Sequence, residues 1–332
     1  MRRTFLGGMA AFATGFAFSA SAQGAREITV YSGRGESLVG PIIAQFQRDT
    51  GITVRARYGG TAELATLLVE EGSRSRADVF WAQEAGSLGA VAPVLAELPR
   101  DVSESVAEVF RNRANRWVPT SGRSRVLAYS TARVQRDALP RSIKDLVNAP
   151  YRARVAWAPT NAGFQIFVTA FRVTEGEAAA RTWLEGMKAN GAKAYRNNGS
   201  QLEGIANGEV DFALVNNYYL GRALAANPRF PVAQTVFGPG DVGNMFNAAG
   251  AGVVAASSNK DNALRFIRHL LSPAAQQVIT QQGNEYPVIP GVPANPSLPS
   301  YEAVVQASTR VDMDQLTDTQ GTLRLLREVG LL

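Results

Sequence analysis

The chain has 332 residues, with 34 Lys and Arg against 28 Asp and Glu, one histidine and no cysteine. The missing cysteines exclude thiolate metal sites, cysteine nucleophiles and redox dithiols, and a lone histidine argues against His-rich zinc sites and Ser-His-Asp hydrolysis. The net charge of +6 is spread along the sequence without a long basic block, which fits a general attraction for anions and argues against nucleic acid binding.

Met1-Arg2-Arg3 is followed by an apolar, small-residue run to Ala20 and then by Ala20-Ser21-Ala22, the charged start, apolar centre and small-residue cleavage site of a secretory signal peptide. A signal peptide is therefore expected over 1–22, and either the general secretory or the twin-arginine route takes the chain out of the cytoplasm. No later window approaches about 20 uninterrupted apolar residues, the length of a membrane span. About 310 residues remain, more than one core usually holds, so two lobes are expected.

Residues 27–32 have strand composition, and the turn Gly33-Arg34-Gly35-Glu36-Ser37 opens a helix over 38–50 with Ile42, Ile43 and Phe46 at helical spacing. A second strand over 51–58, a second helix over 61–71 and a third strand over 77–81 follow. This β-α-β-α-β order predicts a parallel sheet covered by helices, with ligands at the carboxyl ends of its strands. Those ends carry Arg34, Gly35 and Glu36, then 59–61, then Gln83 and Glu84. Arg34 and Glu36 read equally as cleft groups or as a solvated surface pair. The spaced glycines and Lys-Ser/Thr pair of dinucleotide and P-loop sites are missing from Gly33-Arg34-Gly35, which disfavours nucleotide binding.

Segments 88–95 and 102–110 read as helical or irregular cover. Trp117 to Ser130 is an extended stretch interrupted by Gly122, of a kind that can cross between lobes, and Tyr129 ends its apolar run at a strand terminus. A helix near 142–147 and a strand over 154–158 begin the second lobe. Pro159-Thr160-Asn161-Ala162-Gly163-Phe164 then opens a helix through Phe171. The N–H groups at such a helix start bind small anions, with Thr160 and Asn161 as added donors, although a plain N-cap uses the same residues.

A helix over 177–190, strand and turn over 192–200 and a helix over 201–207 lead to a strand over 211–215. That strand delivers Asn216-Asn217-Tyr218-Tyr219 to a strand-to-helix turn, where two neighbouring side chains can reach into one cleft. Phenolate is a hard anionic ligand suited to small, highly charged cations; two ordinary half-buried aromatics are the plainer alternative. Beyond lie a turning segment at 238–244, a small-residue strand over 251–255, helices over 260–271 and 273–282, a proline-rich loop over 287–296 and tail helices such as 321–329. His269 falls in a helix away from any strand end and receives no role.

Over nearly all of the mature chain these residues resemble the periplasmic ferric-ion-binding proteins, the solute receptors of iron ABC importers. The resemblance rests on Ile28-Thr29-Val30-Tyr31-Ser32-Gly33-Arg34, Ala77-Asp78-Val79-Phe80, Trp117-Val118-Pro119 with Ser121-Gly122-Arg123, Gly208-Glu209-Val210, Asn216-Asn217-Tyr218-Tyr219 and Glu285-Tyr286-Pro287-Val288. It implies an α/β, two-lobe periplasmic-binding-protein fold of type II with a hinge of two crossover strands. The first lobe would take 23–122 and 244–332, and the second 123–243.

The resemblance further implies Fe(III) held by Tyr218 and Tyr219, with Tyr129 as the third tyrosine of a tyrosine-rich branch, and a synergistic anion, carbonate or phosphate. Asn198 and Asn216 match positions near that anion, Thr160, Asn161, Ala162 and Gly163 match its helix-end cradle, and Arg34 would help hold it. The sequence departs from a second branch: Gly35 stands about where that branch has a histidine ligand, and Gln83, with Glu84 beside it, where it has a carboxylate. Asn161 also stands where a serine is often found. Glu36, Gln83 and Glu84 remain possible cleft ligands. Three phenolates would neutralise a trivalent cation, which itself lowers phenol pKa values from about 10.

The implied partners are ferric ion and an inner-membrane ABC permease, for a monomeric periplasmic receptor that binds no nucleic acid. An enzyme is not expected, because neither a histidine near a strand end nor a paired-carboxylate motif supplies a general base. The alternative within the same fold is a receptor for a small oxyanion or an organic phosphate, without metal, working through Arg34, Thr160, Asn161 and Asn198.

Overall fold

The computed structural model describes residues 27–309, 311 and 315–332; the expected signal peptide lies outside them. Strand and helix alternate from the start: β1 (Glu27–Ser32), α1 (Glu36–Thr50), β2 (Thr53–Tyr58), α2 (Thr61–Glu71) and β3 (Val79–Ala82), with β1 paired in parallel to β2 on one side and β3 on the other. All of β3 is buried, as a parallel strand covered on both faces should be. Helix α1 buries Val39, Ile42, Ile43 and Phe46 along one stripe and ends at Gly51, whose φ of 68° supplies the left-handed turn that closes the helix. The short α3 (Ala85–Val91) and α4 (Arg100–Ser103), with 3-10 turns between and after them, form the mixed cover expected over 88–110.

Next comes β4 (Val118–Ser130), 13 residues long and buried throughout. After it run β5 (Val155–Trp157), α5 (Ala162–Glu175), α6 (Glu177–Ala189), β6 (Lys193–Ala194), α7 (Asn198–Ala206), β7 (Phe212–Asn216), α8 (Tyr218–Ala226), β8 (Val232–Thr235) and β9 (Phe246–Val253). The amino half of β4 pairs antiparallel with β9, and its carboxyl half with β7 and β8. One strand thus serves both lobes, and the sheet runs β2-β1-β3-β9-β4-β7-β5-β6, with β8 also on β4. At the changeover Gly122 pairs with Ala248 and bridges to Tyr286. A Cβ at Gly122 would lie 1.8 Å from Phe246 Cζ, and Phe246 is itself stacked on Phe110 at 3.7 Å.

Strand β9 starts at Phe246 rather than near 251. Its Asn247-Ala248-Ala249-Gly250-Ala251-Gly252 run has little strand preference of its own and is extended because β3 and β4 flank it. The rest is helical: α9 (Lys260–Leu270), α10 (Pro273–Gly283), α11 (Tyr301–Ala307) and α12 (Thr319–Glu328). Helices α9 and α10 pack on α1, in the first lobe. The last helix departs from the expected grouping of 244–332 with that lobe, because α12 packs on α5. Thr322 and Thr169 share a hydroxyl hydrogen bond of 2.7 Å, Arg172 pairs with Asp318 at 2.9 Å, and Arg181 pairs with Glu328. Its buried face of Thr322, Leu325 and Leu326 required an apolar partner, and periodicity cannot say which lobe provides one. Among the described residues no helix is long and apolar enough to cross a membrane.

Candidate functional site

Strand β7 ends at Asn216 and α8 begins at Tyr218, so the two tyrosines occupy the first turn of a helix leaving the carboxyl end of a strand. Asn217 already has helical angles, φ −51° and ψ −42°. The rings of Tyr218 and Tyr219 therefore stack, with centroids 4.7 Å apart and planes at 29°, instead of pointing to opposite faces as they would on a strand. Arg222, one turn later, lies over both rings at 5.0 and 5.7 Å. The Asn216 amide donates to the Tyr218 hydroxyl at 3.3 Å. Burial and the adjacent Tyr218 raise the Tyr219 pKa, with Arg222 and Asn198 acting in the opposite direction.

Beneath the pair lies a network of amides around one cation. Asn161 caps α5 through its Oδ1, which accepts from Gly163 N at 3.0 Å and from Asn198 Nδ2 at 3.3 Å. Buried Asn198 accepts from Asn216 N at 3.0 Å and from Arg125 Nη1 at 3.4 Å. Arg125 also donates to Asn216 Oδ1 at 3.1 Å and to the Leu214 carbonyl at 2.7 Å, and its guanidinium rests over the Phe167 ring at 5.7 Å. The aromatic cluster of Trp157, Phe164, Phe167 and Trp183 fixes that ring. Burial lowers the Arg125 pKa to about 10, against the opposing pull of Tyr218 and Tyr219, so the group stays cationic at neutral pH.

The cleft has a volume of about 820 Å³ and is lined from both lobes. Ala62, Ala65 and Val69 of α2 and the Gln83-Glu84 turn face it from one side, and Asn161, Ala162, Gly163, Asn216, Tyr218 and Tyr219 from the other. Arg123 and Arg125 of β4 also line it, as do Leu316 and Thr317 before α12. The Glu84 carboxylate accepts from the Ser87 hydroxyl at the start of α3, and the Gln83 carbonyl accepts from Arg123 Nη2. Among the described residues no cluster of three or more His, Asp or Glu side chains is placed to hold a metal.

Several expected site residues lie elsewhere. Tyr129 pairs with Phe212, at the start of β7, whereas the cleft opens at the other end, where Arg125 pairs with Asn216. Four residues of strand put Tyr129 about 13 Å from that end, buried in the core. It does end its apolar run, but β4 runs antiparallel to β7, so its carboxyl end is the one remote from the cleft. Arg34 is also removed: its Nη2 pairs with Glu285 Oε2 at 3.0 Å in a buried setting, and it does not line the cleft. Glu36 is exposed in the first turn of α1 and Thr160 is exposed before α5, both outside the cleft lining. Arg123 and Arg125 went unread as site residues. Their signal was present, since two arginines at i and i+2 in a buried strand share one face.

Residues 31–277 match the family of bacterial extracellular solute-binding proteins. The major ferric iron-binding protein of Neisseria meningitidis is 32% identical over 322 residues, covering 95% of this chain and 96% of that protein. The Fe(3+)-binding periplasmic protein of Serratia marcescens is 32% identical over 340 residues, covering 100% of this chain and 99% of that protein. Among solved structures, iron-bound HitA from Pseudomonas aeruginosa has a TM-score of 0.76 at 32% identity, over 92% of this chain and 99% of that one. Trichodesmium IdiA (FutA) in complex with iron and citrate ligands has a TM-score of 0.80 at 25% identity, over 92% and 100%. These matches run through both lobes and the strand that joins them, and the chain therefore belongs to the bacterial extracellular solute-binding protein family.

Proposed function

We propose that the protein is a periplasmic receptor that binds Fe(III) between its lobes through the phenolates of Tyr218 and Tyr219, together with an anion, and hands it to an ABC permease of the inner membrane. The observation that carries this reading is the stacked tyrosine pair on the wall of a cleft lined from both lobes. Phenolate oxygen suits a small trivalent ion, and among the described residues no cluster of histidines or carboxylates competes for that role. The names of the relatives from Neisseria and Serratia support the same cargo.

With Tyr129 in the core, two phenolates neutralise two of the three charges on the ion. An anion, carbonate or phosphate, completes the shell beside Asn216, Asn198 and the N-terminal end of α5, where the helix dipole favours negative charge. Glu84 and Gln83 face the cleft from the other lobe and supply further oxygens on closure. Burial holds the proton on Tyr219 in the metal-free protein, so loading releases it and acid reverses the binding. Because β4 belongs to both lobes, the lobes close on the ion about a shared strand. The metal-free oxyanion alternative loses Arg34, its main cation, to Glu285.

The test is optical. Mature protein mixed with a ferric salt in bicarbonate should develop a visible tyrosinate-to-iron charge-transfer band, and the Tyr218→Phe, Tyr219→Phe double variant should lack it. A colourless wild type, or a double variant that keeps the band, overturns the proposal.

A further inference from the structure

Val69 is 51% exposed, the most exposed large apolar side chain among the described residues. Single apolar residues on a surface are ordinary. This one, however, stands on the face of α2 that lines the cleft, in one helical row with Ala62, Ala65 and Thr66. Across the cleft stand half-buried Ile166 of α5 and Leu316, before α12. The tyrosine pair and its amide network make no use of these three side chains.

Leu316 comes from the tail of the chain, and the tail rides on the second lobe. Upstream, the Thr309 hydroxyl donates to the Gly240 carbonyl at 3.0 Å, in a turn whose Asp241 accepts from Ile143 N at 3.2 Å. Downstream, α12 packs on α5, and Lys188 Nζ of α6 donates to the Val329 carbonyl at 2.9 Å. Leu316 is 2% exposed, whereas Gln315 and residues 317–320 are exposed. A lone buried leucine in an exposed stretch is a packing anchor. Its carbonyl oxygen lies 3.5 Å from the position a Cβ would take on Gly86, in α3 of the first lobe. The tail thus reaches back to the first lobe from the lobe that carries it.

Building on the ferric reading above, we propose that Val69, Ile166 and Leu316 form an apolar latch that closes the lobes over the bound ion and sets how long it is held. Rotation about the shared strand β4 brings α2 toward α5 and the tail, and Val69 leaves water for contact with Ile166 and Leu316. That contact is complete only in the closed state, so it favours closure and leaves the coordination of the ion unchanged. The phenolates select the cargo, and the latch governs its residence. Burying the exposed half of a valine side chain shifts such an equilibrium about three- to tenfold.

The test follows the loss of the charge-transfer band when excess EDTA is added to mature protein loaded with iron in bicarbonate. Val69→Thr keeps the shape of the side chain and replaces a methyl with a hydroxyl. It should release iron about three- to tenfold faster, whereas Val69→Leu, with more apolar reach, should release it more slowly. Both should keep the wild-type band maximum, because the phenolates are untouched. Leu316→Ala should act in the same direction as Val69→Thr. The chain has no cysteine, so spin labels at Glu70→Cys and Gln320→Cys report the distance across the cleft. That distance should shorten on iron loading, and Val69→Leu should raise the closed fraction in the apo protein. Release from both Val69 variants at the wild-type rate, or a label distance indifferent to Val69→Leu, overturns the latch and leaves the ferric reading standing. A shifted band maximum in Val69→Thr places that residue at the metal and overturns the latch as well. A wild type without the band overturns the ferric reading and this one with it. Because Val69 is exposed, its variants decide the matter even if Leu316→Ala fails to fold.

Discussion

Asn217 and Asn284 are joined across the cleft's hinge: the Asn217 side-chain amide donates to the Asn284 carbonyl at 3.0 Å, while its Oδ1 accepts from Ser124 N at 2.9 Å. Asn217 is fully buried and immediately precedes the tyrosine pair. Asn284 caps α10 with a left-handed φ of 53° and precedes Glu285, the partner of Arg34. The start of the tyrosine helix is thereby fastened both to the shared strand β4 and to the end of α10.

Asn217→Ala should leave the buried Ser124 N–H without a partner, at a cost of about 1–3 kcal/mol, and release the half-buried Asn284 carbonyl. Denaturant unfolding should show the loss. The charge-transfer band of the iron-loaded variant should shift or broaden as the tyrosines lose their anchor, an effect that a purely structural lesion elsewhere would not produce.

Tyr129 and Tyr219 should behave oppositely. Tyr129→Phe leaves the charge-transfer band unchanged, because that ring lies in the core away from the cleft, whereas Tyr219→Phe should strongly reduce the band. Visible absorption of the two loaded variants decides this, and a band lost in Tyr129→Phe would contradict the placement of that strand end.

Glu285 links acid stability to the hinge. Burial alone would raise its pKa, but Arg34, Arg123 and the Ser121 hydroxyl outweigh it and hold the carboxyl below the usual carboxylate range. A depressed folded-state pKa stabilises the fold above the unfolded value of about 4.3, and that contribution is lost as pH falls through the folded value. Glu285→Gln should remove this acid-sensitive component and, by leaving buried guanidiniums uncompensated, cost about 3–5 kcal/mol near neutral pH. Melting curves of both proteins as a function of pH check both effects.

Gly122→Ala should destabilise the hinge without touching the cleft lining. The new methyl would meet Phe246, which cannot retreat because it is stacked on Phe110. Overpacking of this kind costs about 1–3 kcal/mol, read as a lowered unfolding midpoint with an unchanged slope.

Much of the fold was legible from local patterns. The stripe of Val39, Ile42, Ile43 and Phe46 marks α1 because residues three and four apart share a helix face. The tyrosine pair was legible too, since the apolar run before Asn216 ends where a helix begins. The cleft was harder to read. Arg34, at a strand end, was expected to hold an anion and instead pairs with Glu285, a partner far away in the chain. Arg123 and Arg125 look like surface residues in composition, yet the sheet buries both.

The sequence by itself determined the alternation of strands and helices, the long crossing strand and the two tyrosines at one strand end, because each depends on neighbours within a few positions. Tertiary structure decided which end of β4 meets the cleft, which arginine keeps its charge free, and which lobe receives α12. Strand direction, ion pairing and helix docking are settled by contacts between segments distant in the chain. Tyr129 shows the difference: its position at a strand end was local information, and the antiparallel pairing with β7 turned that end away from the cleft.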